Sequence, residues 1–129
     1  ETFEGPLRKA EAVLDEMDLS RKRDATAAEL SHGEERWLEI AIALATDPKM
    51  LLLDEPSSGM SPEETREVID VIRDLSTTIP VLLIEHKMSV VMGVADRIIV
   101  LHNGQVLADG APETIRNDEQ VREVYLGGG

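Results

Sequence analysis

The sequence contains no cysteine, which excludes a disulfide framework, a thiolate metal site and a cysteine nucleophile, and suits a reducing cytosol. Long hydrophobic runs are missing too, since none approaches the ~18–20 residues of a membrane-spanning helix. The start, Glu1-Thr2-Phe3-Glu4, is acidic, so it has no basic region followed by an apolar stretch and carries no legible export signal. Positive charge is scarce: 13 Lys and Arg face 26 Asp and Glu, a formal net charge of −13. Such a chain is repelled by phosphate backbones and anionic membrane surfaces, so no nucleic-acid partner is expected. A zinc site is not expected either, because the helical His-Glu-x-x-His spacing is absent. The first residue is not methionine, and the expectation is a piece of a longer polypeptide.

What is present is a chain of 129 residues, 42% apolar and 30% charged, enough for one domain or part of one. Leu7, Ala10, Val13, Leu14 and Met17 recur at helical spacing, and the polar run Ser20-Arg21-Lys22-Arg23-Asp24 ends that helix. A second helix is expected from Ser31 to about Thr46, with Ser31 as cap, Glu34 three residues on and an apolar stripe of Leu38, Ile42 and Leu44 or Ala45. Met50-Leu51-Leu52-Leu53, between Pro48 and Pro56, reads as a strand buried on both faces. Ser61-Pro62-Glu63-Glu64 then opens a helix whose buried stripe is Val68, Ile69, Val71, Ile72 and Leu75.

A second apolar strand, Val81-Leu82-Leu83-Ile84, a short helix over Met88–Val94 and a third apolar run, Ile98-Ile99-Val100-Leu101, follow. This alternation is that of an α/β layer with parallel strands. His102-Asn103-Gly104 then signals a hairpin into residues 105–108, Pro112 opens a short helix, and residues 118–126 form a last one before Gly127-Gly128-Gly129.

Three clusters carry chemistry. Asp54-Glu55-Pro56 places two carboxylates at the carboxyl end of a strand, where open α/β sheets hold their ligands. Burying both acids is costly unless a hydrated Mg²⁺ on nucleotide phosphates compensates one, leaving the other to orient or deprotonate a water. The same tripeptide also serves as an ordinary turn. Leu30-Ser31-His32-Gly33-Glu34 opens a helix, whose free N–H groups and positive dipole end suit an anion, although a plain N-cap has the same residues. His86, directly after the second strand, is expected on the same sheet edge as Glu55, where a neutral imidazole hydrogen-bonds a phosphate or a water.

The order and spacing of these clusters, with Ser57-Ser58-Gly59-Met60-Ser61-Pro62 directly after the carboxylates, resembles the second half of the ATP-binding cassette ATPases. The resemblance extends along essentially the whole chain. It implies a P-loop NTPase-like α/β fold, with a mainly parallel sheet flanked by helices and a C-terminal hairpin. Residues 1–47 would be late helical subdomain and signature helix, and residues 48–129 the Walker B strand, D-loop, switch histidine and C-terminal elements. Arg36-Trp37-Leu38-Glu39-Ile40-Ala41, Ile84-Glu85-His86-Lys87-Met88, Val91-Met92-Gly93 and the ending from Ile115 to Gly127 look like ATPase subunits of branched-chain amino acid or urea importers.

The resemblance also implies roles. Ser31, His32, Gly33 and Glu34 would be the signature motif, acting in trans on the nucleotide of an opposite subunit. Asp54 would hold Mg²⁺, through water, and Glu55 would be the general base. Ser58, Gly59 and Ser61 would form the D-loop, and His86 would contact the γ-phosphate. ATP and Mg²⁺ are the implied cofactors. A second nucleotide-binding subunit and transmembrane permease subunits are the implied partners, with an extracytoplasmic solute-binding protein acting indirectly, and the location is peripheral, on the cytoplasmic face of the membrane.

Four positions depart from the commoner pattern: His32 for glycine, Glu34 for glutamine, Ser61 for aspartate and Lys87 for aspartate. A larger departure is that no glycine is followed by lysine, so the P-loop G-x-x-x-x-G-K-[ST] is missing from this sequence. The chain alone is therefore expected to be inactive. Two other classes compete: a non-transport cassette ATPase of the DNA-repair type, which calls for a coiled-coil insertion and a basic face, and a non-catalytic interaction module that keeps only the signature face.

Overall fold

The computed structural model describes residues 4–125. Leu126 and the three glycines, expected at the end of the last helix and after it, lie outside the described residues. The chain divides into two compact units, Glu1–Ile84 and Glu85–Gly129.

The first unit begins with helix α1, Glu4–Glu16, which turns Val13 and Met17 inward while Leu7 stays exposed. Asp18 ends it in the left-handed region at φ 55°, and the Leu19 N–H closes back on the Leu14 carbonyl at 2.7 Å, the way helices commonly stop. Leu19 is buried. It anchors a 3-10 turn, Ser20–Lys22, and a second such turn, Ala27–Glu29, carries its own capping box from Thr26 and Glu29.

Helix α2, His32–Leu44, starts at the expected capping box of Ser31 and Glu34. Its buried face is Gly33, Trp37, Ile40 and Ala41. The expected stripe of Leu38 and Ile42 is therefore displaced by one residue, and Ile42 is 61% exposed. Both stripes have helical spacing, and Trp37 offers the larger apolar area to bury, so it selects the face.

Strand β1, Leu51–Asp54, pairs in parallel with β2, Val81–Ile84, with Leu52 opposite Leu82 and Asp54 opposite Ile84. Between them runs α3, Pro62–Ser76, capped by Ser61 and burying Val68, Ile72 and Leu75; Ile69 and Val71 are half-buried. Leu51 and Leu53 are buried, but Leu52 is 68% exposed and Leu82 and Ile84 are exposed beside it. The expectation of burial on both faces is corrected: a strand's side chains alternate, and one face of this pair is open.

In the second unit, α4 spans Met88–Val94, and β3, Ile98–His102, pairs antiparallel with β4, Gln105–Gly110. Asn103 at φ 50° and Gly104 at φ 75° make the two-residue turn that Asn-Gly favours. Among the described residues β3 pairs with β4 alone, so the third apolar run is a hairpin strand and not a third parallel neighbour. Arg97 clamps the hairpin's open end through two hydrogen bonds to Asp109, at 2.8 and 2.7 Å. Helices α5, Pro112–Arg116, and α6, Glu119–Val124 with Asp118 as its cap, close over Ile98 and Val100 with Ile115 and Val121. The Tyr125 hydroxyl donates to the Leu101 carbonyl.

Candidate functional site

At the head of α2 the Glu34 N–H donates to Ser31 Oγ at 3.2 Å, and the Ser31 N–H donates to Glu34 Oε1 at 3.0 Å. This reciprocal cap fixes the turn and sets Ser31 at the exposed head of the helix. Ser31 is exposed, His32 is exposed with Nδ1 3.7 Å from Glu35 Oε2, and Gly33 is buried. Backbone donation from Ser31 is the main reason the Glu34 carboxyl sits below its ordinary value; burial opposes it, and the Ser31 hydroxyl, Lys22 and Arg21 assist it.

At the carboxyl end of β1, Asp54 is exposed and Glu55 half-buried. The premise that both acids are buried is corrected: the strand ends at Asp54, and both groups stand at the edge. Glu55 takes a left-handed backbone at φ 47°, held there by its N–H donating to the Ile84 carbonyl at 2.7 Å. Non-glycine residues pay for that conformation in strain, and such strain clusters at working sites. The next residues fold tightly, with Pro56, Ser57 and Met60 buried and Ser58 and Gly59 exposed, Gly59 at φ 76°. Ser61 then caps α3, its Oγ accepting the Glu64 N–H at 3.2 Å.

The turn at the head of α2 and the segment that leads into α3 meet inside this unit. A Cβ on Gly33 would lie 3.3 Å from both Cδ and Oε2 of Glu64, and Glu64 Oε2 also accepts the Ser61 N–H at 3.4 Å. A cleft of about 590 Å³ opens here, lined by Ser31, Gly33, Glu34 and Trp37 together with Arg21 and Lys22. The sequence marks Arg21 and Lys22 only as part of a helix-ending polar run, and Glu64 only as a capping residue. Nothing in the spacing signals that all three converge on the turn at Ser31–Glu34.

His86 belongs to the second unit, where it is exposed and its N–H donates to Glu85 Oε1 at 3.1 Å. An exposed carboxylate at a strand's carboxyl end, such as Asp54, has the hard oxygen donors that a hydrated Mg²⁺ accepts. Mg²⁺ takes one or two carboxylates plus substrate phosphates rather than a protein cage, so this donor set fits.

Residues 5–58 match the family profile of ABC transporters, and residues 105–129 match that of branched-chain amino acid ATP-binding cassette transporters. The chain is 44% identical over 125 residues to the high-affinity branched-chain amino acid transport ATP-binding protein LivG of Escherichia coli K12, aligning 94% of its own length. This chain belongs to the ATP-binding cassette transporter ATPases. It spans 48% of LivG, so about half the length of the curated relatives it matches. The high-affinity branched-chain amino acid transport ATP-binding protein BraF of Pseudomonas aeruginosa is 42% identical over 88% of this chain and 46% of its own. A solved nucleotide-free ATP-binding cassette from an ABC transporter superposes with a TM-score of 0.86 at 35% identity, covering 96% of this chain and 51% of that one. The ADP conformation of MJ1267, also an ATP-binding cassette, gives 0.85 at 34% identity, with 95% and 50% covered.

Proposed function

We propose that this chain is the signature-bearing half of an ATP-hydrolysing subunit that powers import of branched-chain amino acids or a related small solute such as urea. The observation that carries the solute class is the match of residues 105–129 to the branched-chain amino acid profile, beyond the general cassette match of residues 5–58. The relatives reported above are named for transport, which disfavours the DNA-repair alternative. Residues 1–47 serve as late helical subdomain and signature helix, and residues 48–129 as the Walker B, D-loop, switch-histidine and C-terminal part. A second nucleotide-binding subunit and permease subunits complete the assembly, with a solute-binding protein acting from outside. The permease holds this subunit on the cytoplasmic face of the membrane.

Asp54 would hold Mg²⁺, through a water, and the ion would supply positive charge against the nucleotide phosphates. Glu55, set at the edge by its strained backbone, accepts a proton from the water that attacks the γ-phosphorus. His86 hydrogen-bonds the γ-phosphate and that water. Ser31 and Gly33 donate to the γ-phosphate held by the opposite subunit, using a hydroxyl proton and the N–H groups of a helix start. Ser58, Gly59 and Ser61 present the D-loop to the partner.

The test is Glu55→Gln in the full-length protein. The amide keeps the shape but accepts no proton, so ATP binding persists while turnover falls by ~10²–10⁴-fold. Wild-type hydrolysis by that variant removes Glu55 from the mechanism. The isolated chain, whose sequence has no P-loop, neither hydrolyses Mg-ATP nor binds it at micromolar concentration, and a micromolar dissociation constant by calorimetry would overturn that.

A further inference from the structure

Glu34 brings a negative charge to a turn read above as a phosphate site. One of its oxygens, Oε1, is occupied by the Ser31 N–H at 3.0 Å. The other, Oε2, is buried and has no hydrogen-bond partner. A carboxylate left in that state beside a bound phosphate repels it. The surroundings add to the problem, because Glu16, Asp18, Glu64, Glu67 and Asp70 also line the cleft.

Two cations face this oxygen. Arg21 Nη2 lies 3.7 Å and Lys22 Nζ 3.9 Å from Glu34 Oε2, and they are the cleft's two basic lining residues. Their placement is built into the chain: buried Leu19 anchors the 3-10 turn, whose Lys22 N–H donates to the Leu19 carbonyl at 2.9 Å. Both distances exceed a hydrogen bond, so the interaction is one of charge and leaves the carboxylate in its cap.

We propose that Arg21 and Lys22 are positioning residues for the signature turn, neutralising Glu34 so that Ser31 and Gly33 can accept a nucleotide phosphate. The inference rests on the signature reading given above. It assigns the two cations no contact with the nucleotide; they act through Glu34.

A double-mutant cycle in the full-length protein tests it, reading KM for ATP and kcat for wild type, R21Q/K22Q, E34Q and the combined variant. With Glu34 present, removing both cations raises KM by about threefold or more, the scale of a partly exposed ion pair, and alters kcat less. In the E34Q background the same removal leaves KM unchanged. In the full-length protein, NMR titration of the Glu34 carboxyl moves to higher pH in R21Q/K22Q. An equal KM rise in both backgrounds, no KM change in either, or a Glu34 titration that stays fixed overturns the proposal. Failure of the signature reading shows separately, as Ser31→Ala leaving KM for ATP unaltered.

Discussion

Glu64 lies against Gly33, its Cδ and Oε2 each 3.3 Å from the place a Cβ would occupy. The same carboxylate closes the Ser61 cap of α3, so the starts of α2 and α3 share one side chain. Alanine usually stabilises a helix by about 1 kcal/mol relative to glycine. Here the added methyl makes Glu64 give by a few tenths of an ångström against a cap that is typically worth ~1 kcal/mol. Gly33→Ala is therefore expected to bring no gain, whereas in a Glu64→Ala background it stabilises by roughly 0.5–1 kcal/mol. Urea denaturation of the four proteins gives the coupling, and additive effects would show that the two residues are independent.

Strain at Glu55 predicts an ordering among variants that lack its carboxylate. With φ at 47°, Glu55→Gly should be more stable than Glu55→Ala by roughly 1 kcal/mol, since the left-handed region costs a residue with a Cβ ~1–2 kcal/mol and glycine repays part of this in entropy. If Glu55 is the general base as proposed, both variants are expected to lose ATP turnover in the full-length protein. Equal denaturation midpoints for the two would mean the backbone is relaxed at that position.

The hairpin clamp makes a statement about pH. The Arg97 hydrogen bonds to Asp109 are the main cause holding that carboxyl below its ordinary value of 3.8; burial opposes them and the Arg97 charge assists. A group whose folded value is depressed contributes stability above its unfolded value and loses that contribution as pH falls through the folded one. Asp109→Asn should thus melt below wild type at neutral pH, with the gap closing under pH 3.8. Thermal melts across pH 2–7, a window spanning ordinary carboxylate titration, check this, and a gap independent of pH would rule it out.

The open face of the parallel pair sets the behaviour of the isolated chain. Leu52, Leu82 and Ile84 are exposed side by side, and both apolar surface and unpaired strand edges favour association. The net charge of −13 opposes it over about a Debye length, ~8 Å at physiological salt, and less as salt rises. The chain should therefore associate more at high salt than at low, and Leu52→Lys with Leu82→Lys should weaken that association. Light scattering that finds a monomer at both salt extremes would refute the open-face account.

Features that depend on neighbours along the chain are legible in the residues themselves. Capping boxes at Ser31 and Ser61, Pro62 at a helix start and the Asn103-Gly104 turn are set by backbone groups within four residues, and each stands where its local chemistry puts it. The order of the motifs along the chain likewise fixed the family, because spacing is a property of the chain alone. Which of two helical stripes α2 buries is settled by packing in three dimensions, because both obey the same periodicity and the larger area that Trp37 can bury counts only where something packs against it. The fold alone reveals that Leu52 faces outward, since an apolar run of four residues carries no record of whether anything covers its second face. The meeting of Arg21, Lys22 and Glu64 around the Ser31–Glu34 turn was invisible for the same reason. The ion pairs of Arg21 and Lys22 with Glu34 and the contact of Glu64 with Gly33 are set by how segments pack, and no local pattern encodes them.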